Sequence, residues 1–136
     1  MIKKIAAAAL LLGLGLVGVA DAQTAGPGGM RSKELNRTEV PGSNYVVVTL
    51  QTEMDVGSSD PLHSHPGVQM GYLESGSMRL IVEGQPDRVI KTGESYQVPA
   101  GAPHAAVSLG PVMYKSVTNY VVDKTKPIRT ELAGKK

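Results

Sequence analysis

Residues 61–76 read PLHSHPGVQMGYLESG. His63 and His65 stand two positions apart, and side chains at i and i+2 of an extended strand point to one face. Both imidazoles can therefore converge on one point. Gln69 has the same parity and shares that face if the strand runs on without a bulge. His104, well downstream in VPAGAPHAAV, completes the 3 histidines of the chain. If all three meet, they form a facial set of the kind divalent transition metals favour.

The residues around the histidines keep a fixed spacing. Gly57 is followed by five residues, His63-x-His65, three residues, Gln69, six residues and Gly76. A second block runs Gly93, five residues, Pro99-x-Gly101, two residues, His104, three residues and Ser108. This resembles the paired motifs of the cupin superfamily, in which Gly, HxH, Glu and Gly are followed by Gly, PxG, His and Asn. Gln69 stands where that family usually has Glu, and Ser108 where it usually has Asn. The 16 residues between the blocks suit the short linker of small bacterial cupins.

The resemblance implies an all-β fold, a cupin-type double-stranded β-helix (jelly-roll) barrel. It also implies a metal held by His63, His65 and His104, with Gln69 as a fourth candidate ligand. One divalent transition metal is expected, drawn from Fe, Ni, Cu, Zn, Co and Mn. An amide offers a neutral carbonyl oxygen where a carboxylate would bring a negative charge. The ion would keep its full +2 charge, and the borderline metals that suit imidazole are favoured over Mn. Gln69 could equally hold a metal-bound water.

Outside the motifs, the apolar segments are short and punctuated by Gly, Pro, Ser and Asp. NYVVVTLQTE is rich in β-branched residues and reads as a strand, as do GVQMGYLES, SYQVPAG and VMYKSVTNYVV. MRLIVEGQPDRVIK reads as a hairpin turning at Gly84, Gln85 and Pro86. No apolar helical period is sustained beyond the first 22 residues. The predicted organisation is a signal peptide over 1–22, a flexible leader over 23–39, one domain over 40–124 and a polar tail over 125–136. The signal-peptide reading rests on MIKK, the 16-residue apolar run IAAAALLLGLGLVGVA and the small residues Ala20 and Ala22, with cleavage between Ala22 and Gln23. The mature chain would be periplasmic or secreted.

Length and composition narrow the function. The 136 residues allow one domain. Lys and Arg total 14 against 12 Asp and Glu, and their scattering gives no nucleic-acid footprint and no basic membrane patch. With 0 Cys there is no thiol nucleophile or disulfide, and with no Phe or Trp the core falls to Val, Leu, Ile, Met and Tyr. Met54, Met70, Met78 and Met113 read as core filler. Tyr72, Tyr96 and Tyr114 are candidates for a substrate pocket. Glu53 and Glu74 are candidate bases, although Glu74, just before a turn, suits a solvated position.

The resemblance implies a metal-dependent oxygenase, dioxygenase-like, acting on a small organic substrate. A non-catalytic module that binds a small ligand or metal is the competing reading, motivated by the paucity of acid–base residues. A metal-assisted isomerase or lyase ranks third, because it wants a proton shuttle beside the metal. Small cupins commonly pair, so a homodimer is also expected.

Overall fold

A computed structural model describes residues 24–25 and 29–134, and the expected signal peptide lies outside the described residues. The strands in chain order are β1 (Thr24–Ala25), β2 (Met30–Glu39), β3 (Tyr45–Met54), β4 (Ser59–Ser64), β5 (Val68–Ser75) and β6 (Ser77–Val82). They continue with β7 (Arg88–Lys91), β8 (Ser95–Val98), β9 (His104–Ser108), β10 (Tyr114–Asp123) and β11 (Thr130–Glu131). No helix occurs among the described residues.

Alternation sets which face each strand buries. Along β10 the inward residues are Tyr114, Ser116, Thr118, Tyr120 and Val122, with half-buried residues between them. On β5, Gln69, Gly71 and Leu73 turn inward, while Val68, Met70 and Tyr72 face out. One core joins Leu73, Val98 and Tyr114 of one sheet to Met78, Leu80 and Ile90 of the other. A second cluster gathers Val46, Val48, Tyr120 and Val122, with Leu50 and Ile128 against it. The expected hairpin is present: β6 and β7 pair antiparallel, and Gly84 turns between them at φ +79°.

The closed jelly-roll barrel expected from the sequence is not formed. The strands make two open antiparallel sheets, ordered β1-β2-β3-β10-β5-β8 and β11-β4-β9-β6-β7. No strand is shared between the sheets and no ladder joins them among the described residues. The chain passes from β5 to β6 through Gly76 alone, at φ +77°, where a Cβ would lie 2.9 Å from the carbonyl oxygens of Val112 and Met113. A one-residue turn moves the strand to the facing sheet instead of bending a continuous ladder. The edge strands β7 and β8 are only 4 residues each, too short to carry pairing around a corner.

Two peripheral segments are more ordered than expected. Residues 30–39, assigned to the flexible leader, form β2 and pair with β3 along its length. Polar residues suffice there because β2, covered on its outer side only by the two-residue β1, needs only backbone bonds and shallow burial, so its hydropathy is silent. The C-terminal tail contributes β11, which pairs with β4 through Thr130 to Ser64 and Glu131 to His63.

Gly71 faces Tyr96 across the β5–β8 ladder, and a Cβ there would lie 2.2 Å from the phenol ring. Gly71→Ala should therefore force Tyr96 aside and destabilise the fold by about 1–3 kcal/mol. Urea unfolding measures this, and wild-type stability in the variant would show that the ring is not held over β5.

Candidate metal centre

Both sheets contribute to one buried point. His63 on β4 pairs with His104 on β9 in the ladder of the five-stranded sheet. His65 follows directly after β4 and keeps the parity of His63, so both rings turn inward. Gln69 on β5 pairs with Tyr120 on β10 in the facing sheet. The three histidines are at most 5% exposed and Gln69 is 7% exposed.

The second ring nitrogen of each histidine is engaged by the backbone. His63 Nδ1 lies 2.7 Å from the Pro61 carbonyl, His65 Nδ1 2.6 Å from that of Ile128, and His104 Nδ1 2.9 Å from that of Ala102. A carbonyl oxygen only accepts, so each Nδ1 carries the proton and donates it. In a neutral imidazole the other nitrogen is then bare. Burial drives the pKa values of His63 and His65 down to about 4 and lowers that of His104, so all three rings are neutral at pH 7. Three unprotonated Nε2 atoms therefore face the same space.

Their spacing suits one cation. One ligand nitrogen from each ring falls within 4.8 Å of the others, and the Nε2 atoms of His63 and His65 are 3.2 Å apart. Two nitrogens held about 2.0–2.1 Å from a common ion, at roughly 90–110°, lie about 2.9–3.4 Å apart. His104 Nε2 is buried without a hydrogen-bond partner, and so is Gln69 Oε1. The amide of Gln69 donates through Nε2 to the Tyr120 hydroxyl at 3.4 Å, which leaves its carbonyl oxygen free. Buried acceptors without donors are rare and costly. His104 Nε2 belongs to the trio of histidine nitrogens that a divalent ion would satisfy, and Gln69 lines the same cavity, so the residues present fit a metal.

A cavity of about 230 Å³ opens beside this cluster. Its apolar wall includes Leu50, Met54, Met78, Leu80 and Ile128, and its polar wall includes Tyr96, Tyr114, Thr118 and Tyr120. Four of the nearby hydroxyls form a closed ring. Tyr114 donates to Ser116 at 2.6 Å, Tyr96 lies 3.2 Å from Tyr114 and 3.1 Å from Thr118, and Ser116 is 3.5 Å from Thr118. Burial raises the pKa values of Tyr114 and Tyr120, which keeps both phenols protonated.

Of the residues singled out in the sequence, His63, His65 and His104 come together, and Gln69, Tyr96 and Tyr114 line the adjoining cavity. Tyr72 does not join them: it is 51% exposed on the outer face of β5. Glu74 is exposed on the same face, and Glu53 pairs with Arg31 at 3.5 Å and Lys115 at 3.9 Å, away from the cavity. The sequence reading passed over Tyr120, Asp60, Ile128 and Arg129. The alternation Ser116-Thr118-Tyr120-Val122 could have revealed Tyr120. Nothing in the polar tail singles out Arg129.

Comparison with known proteins agrees with this geometry. Residues 50–118 match the family described as the cupin domain. Oxalate oxidase GF-3.8 of Triticum aestivum is 28% identical over 96 residues, which span 64% of this chain and 43% of that protein. The chain thus spans less than half of the length of the oxalate oxidases it matches. Among solved structures, an RmlC-like cupin from Shewanella frigidimarina superposes with a TM-score of 0.60 at 21% identity, covering 76% of this chain and 86% of the other. An oxalate oxidase superposes with a TM-score of 0.64 at 21% identity, covering 83% and 60%. These structural likenesses concern the fold.

The depressed histidine pKa values fix a pH dependence of the metal-free protein. In the folded chain His63 and His65 stay neutral down to about pH 4, whereas the unfolded imidazoles protonate near 6.5. The unfolded state binds more protons between those values, so stability should fall as pH drops from about 6.5 towards 4 and be level above that range. Urea midpoints across this range test it. A flat profile would mean the rings are solvated and protonate normally.

Proposed function

The chain belongs to the cupin family, and from its three converging, unprotonated imidazole nitrogens we propose a divalent-metal-dependent enzyme, oxygenase-like, acting on a small organic molecule. His63, His65 and His104 would hold the ion through Nε2, with Gln69 Oε1 as a fourth donor or the acceptor for a bound water. A bound metal supplies Lewis acidity towards a substrate oxygen and, for a redox-active ion, electron transfer with O2. The single observation that carries this reading is the trio of backbone carbonyls, which favours at each ring the Nδ1-protonated tautomer whose Nε2 is free to ligate.

The protein's own groups prepare the surroundings. The cavity admits only a small substrate, and its apolar wall excludes bulk water. Tyr120, with its phenol kept protonated, offers a hydroxyl beside Gln69 to an oxygen of the substrate. The curated relatives named above are oxalate oxidases, so short carboxylic acids are the first class to assay.

One observation favours a binding module instead. Among the described residues Asp60 is the sole carboxylate lining the cavity, and it is tied to Arg129 Nη1 at 2.7 Å, so none of them offers a free base to a substrate. Turnover separates the two readings. Reconstituted protein should take up near-stoichiometric Fe, Ni, Cu or Co, and His104→Ala should weaken uptake more than 100-fold, since even the loss of an outer partner costs about 10–100-fold. Elemental analysis and titration measure this. A wild-type protein that takes up no metal would refute the metal reading. Oxygen consumption with a short acid would support the oxygenase, and tight stoichiometric binding without product would support the module.

We further propose that the chain is exported. N-terminal sequencing of extracytoplasmic protein should begin at Gln23, and an N-terminus that retains residues 1–22 would oppose this.

A further inference from the structure

The C-terminal residues 128–132 lie against the metal centre, held by three kinds of contact. Backbone pairing joins β11 to β4, and Leu132 N–H donates to the Leu62 carbonyl at 3.0 Å. The Ile128 side chain packs on the cluster of Val46, Val48, Tyr120 and Val122. Arg129 Nη1 lies 2.7 Å from Asp60 Oδ1 in a largely buried ion pair, with side-chain exposures of 23% and 18%. Between these anchors, the Ile128 carbonyl receives the Nδ1 proton of His65 at 2.6 Å.

That bond differs in origin from the other two. His63 and His104 donate to carbonyls two residues back in their own segments, Pro61 on β4 and Ala102 just before β9, so local backbone geometry supplies both acceptors. The acceptor for His65 comes from 63 residues away and depends on the strap being in place.

The alternative tautomer of His65 is within reach. With the proton on Nε2, His65 would donate to the bare Nε2 of His63, 3.2 Å away. That internal bond would satisfy two buried nitrogens and occupy both as ligands. The Ile128 carbonyl opposes it by claiming the proton at Nδ1.

We propose that residues 128–132 are a working part of the metal centre, with Arg129 as a positioning residue whose ion pair with Asp60 holds the Ile128 carbonyl on His65 and keeps the ligand tautomer. The proposal rests on the metal reading above, and its test is independent of turnover. In metal-free, 15N-labelled full-length protein, two-bond proton–nitrogen correlations report the tautomer of each histidine. The wild type should show all three protonated at Nδ1. Arg129→Met should move His65 towards the Nε2-protonated form, leave His104 unchanged, and weaken zinc binding about 10–100-fold, the usual consequence of losing an outer-shell partner. Arg129→Lys should restore part of both effects, because a lysine can still pair with Asp60. Asp60→Asn breaks the same pair from the other side and should reproduce both changes, which guards against a variant that fails to fold. Lys124→Met, which removes a surface ion pair with Glu39 at 2.9 Å, should change neither. Wild-type tautomers and zinc affinity in both Arg129→Met and Asp60→Asn would overturn the proposal. If the wild type binds neither zinc nor Fe, Ni, Cu or Co, the metal reading falls, and the tautomer shift alone then decides whether the strap positions His65.

Discussion

A backbone carbonyl can accept a hydrogen bond and cannot donate one, and that asymmetry governs the centre of this protein. Pro61, Ala102 and Ile128 each place a carbonyl on the Nδ1 of one histidine. Once the three Nδ1 atoms carry protons, the three Nε2 atoms are bare, whatever else surrounds them. Two of those carbonyls lie two residues before the ring they orient, so the backbone leading to each histidine also sets its chemistry. The rest of the fold delivers them to one place. The β4–β9 ladder sets His63 beside His104, and β5 and β10 bring Gln69 and Tyr120 from across the core.

The replacement of a carboxylate by Gln69 reads differently once the surroundings are known. A buried carboxylate beside three neutral rings would need a cation to remain charged. An amide is uncharged, and here its NH2 group has a partner in the Tyr120 hydroxyl, so only its carbonyl oxygen remains unsatisfied. The centre can therefore stay neutral and dry without its ion, at the cost of unpaired acceptors rather than unpaired charge. Were an ion held there by neutral imidazoles, no ligand would offset its +2 charge, which would strengthen its pull on an oxygen in a medium of low dielectric.

Much of this was legible because it rests on spacing. The HxH pair, the glycines that permit positive φ, and PxG before His104 are local geometry, and local geometry is written in consecutive residues. The alternating strands were legible for the same reason. Closure was not. Whether strands form one continuous surface or two open sheets depends on where ladders end, and a one-residue crossing at Gly76 leaves no mark in hydropathy. The strand β2 was missed because it is largely polar on both faces. Ile128 and Arg129 were missed because their roles come from a carbonyl and a long-range ion pair in a tail of ordinary composition. Tyr72 looked equivalent to Tyr96 and Tyr114 in the sequence. Strand parity separates them: on β5 it is Gln69 and Leu73 that face inward, which turns Tyr72 to solvent.

The arrangement also carries a conflict that explains why so much backbone is committed to it. Two bare nitrogens 3.2 Å apart repel each other's lone pairs, and a buried site offers little water to soften that. Left to themselves, the rings would relax by moving a proton from Nδ1 to Nε2 and bonding to one another. The carbonyls oppose it, two through local backbone geometry and the one on His65 through the packed C-terminal strap. A constellation unfavourable when empty and favourable around a cation couples the stability of the fold to occupancy, since an ion that binds only the assembled site stabilises the folded state. The sheets therefore do more than bring ligands together. They hold the rings in the tautomer that a metal requires and the empty site disfavours.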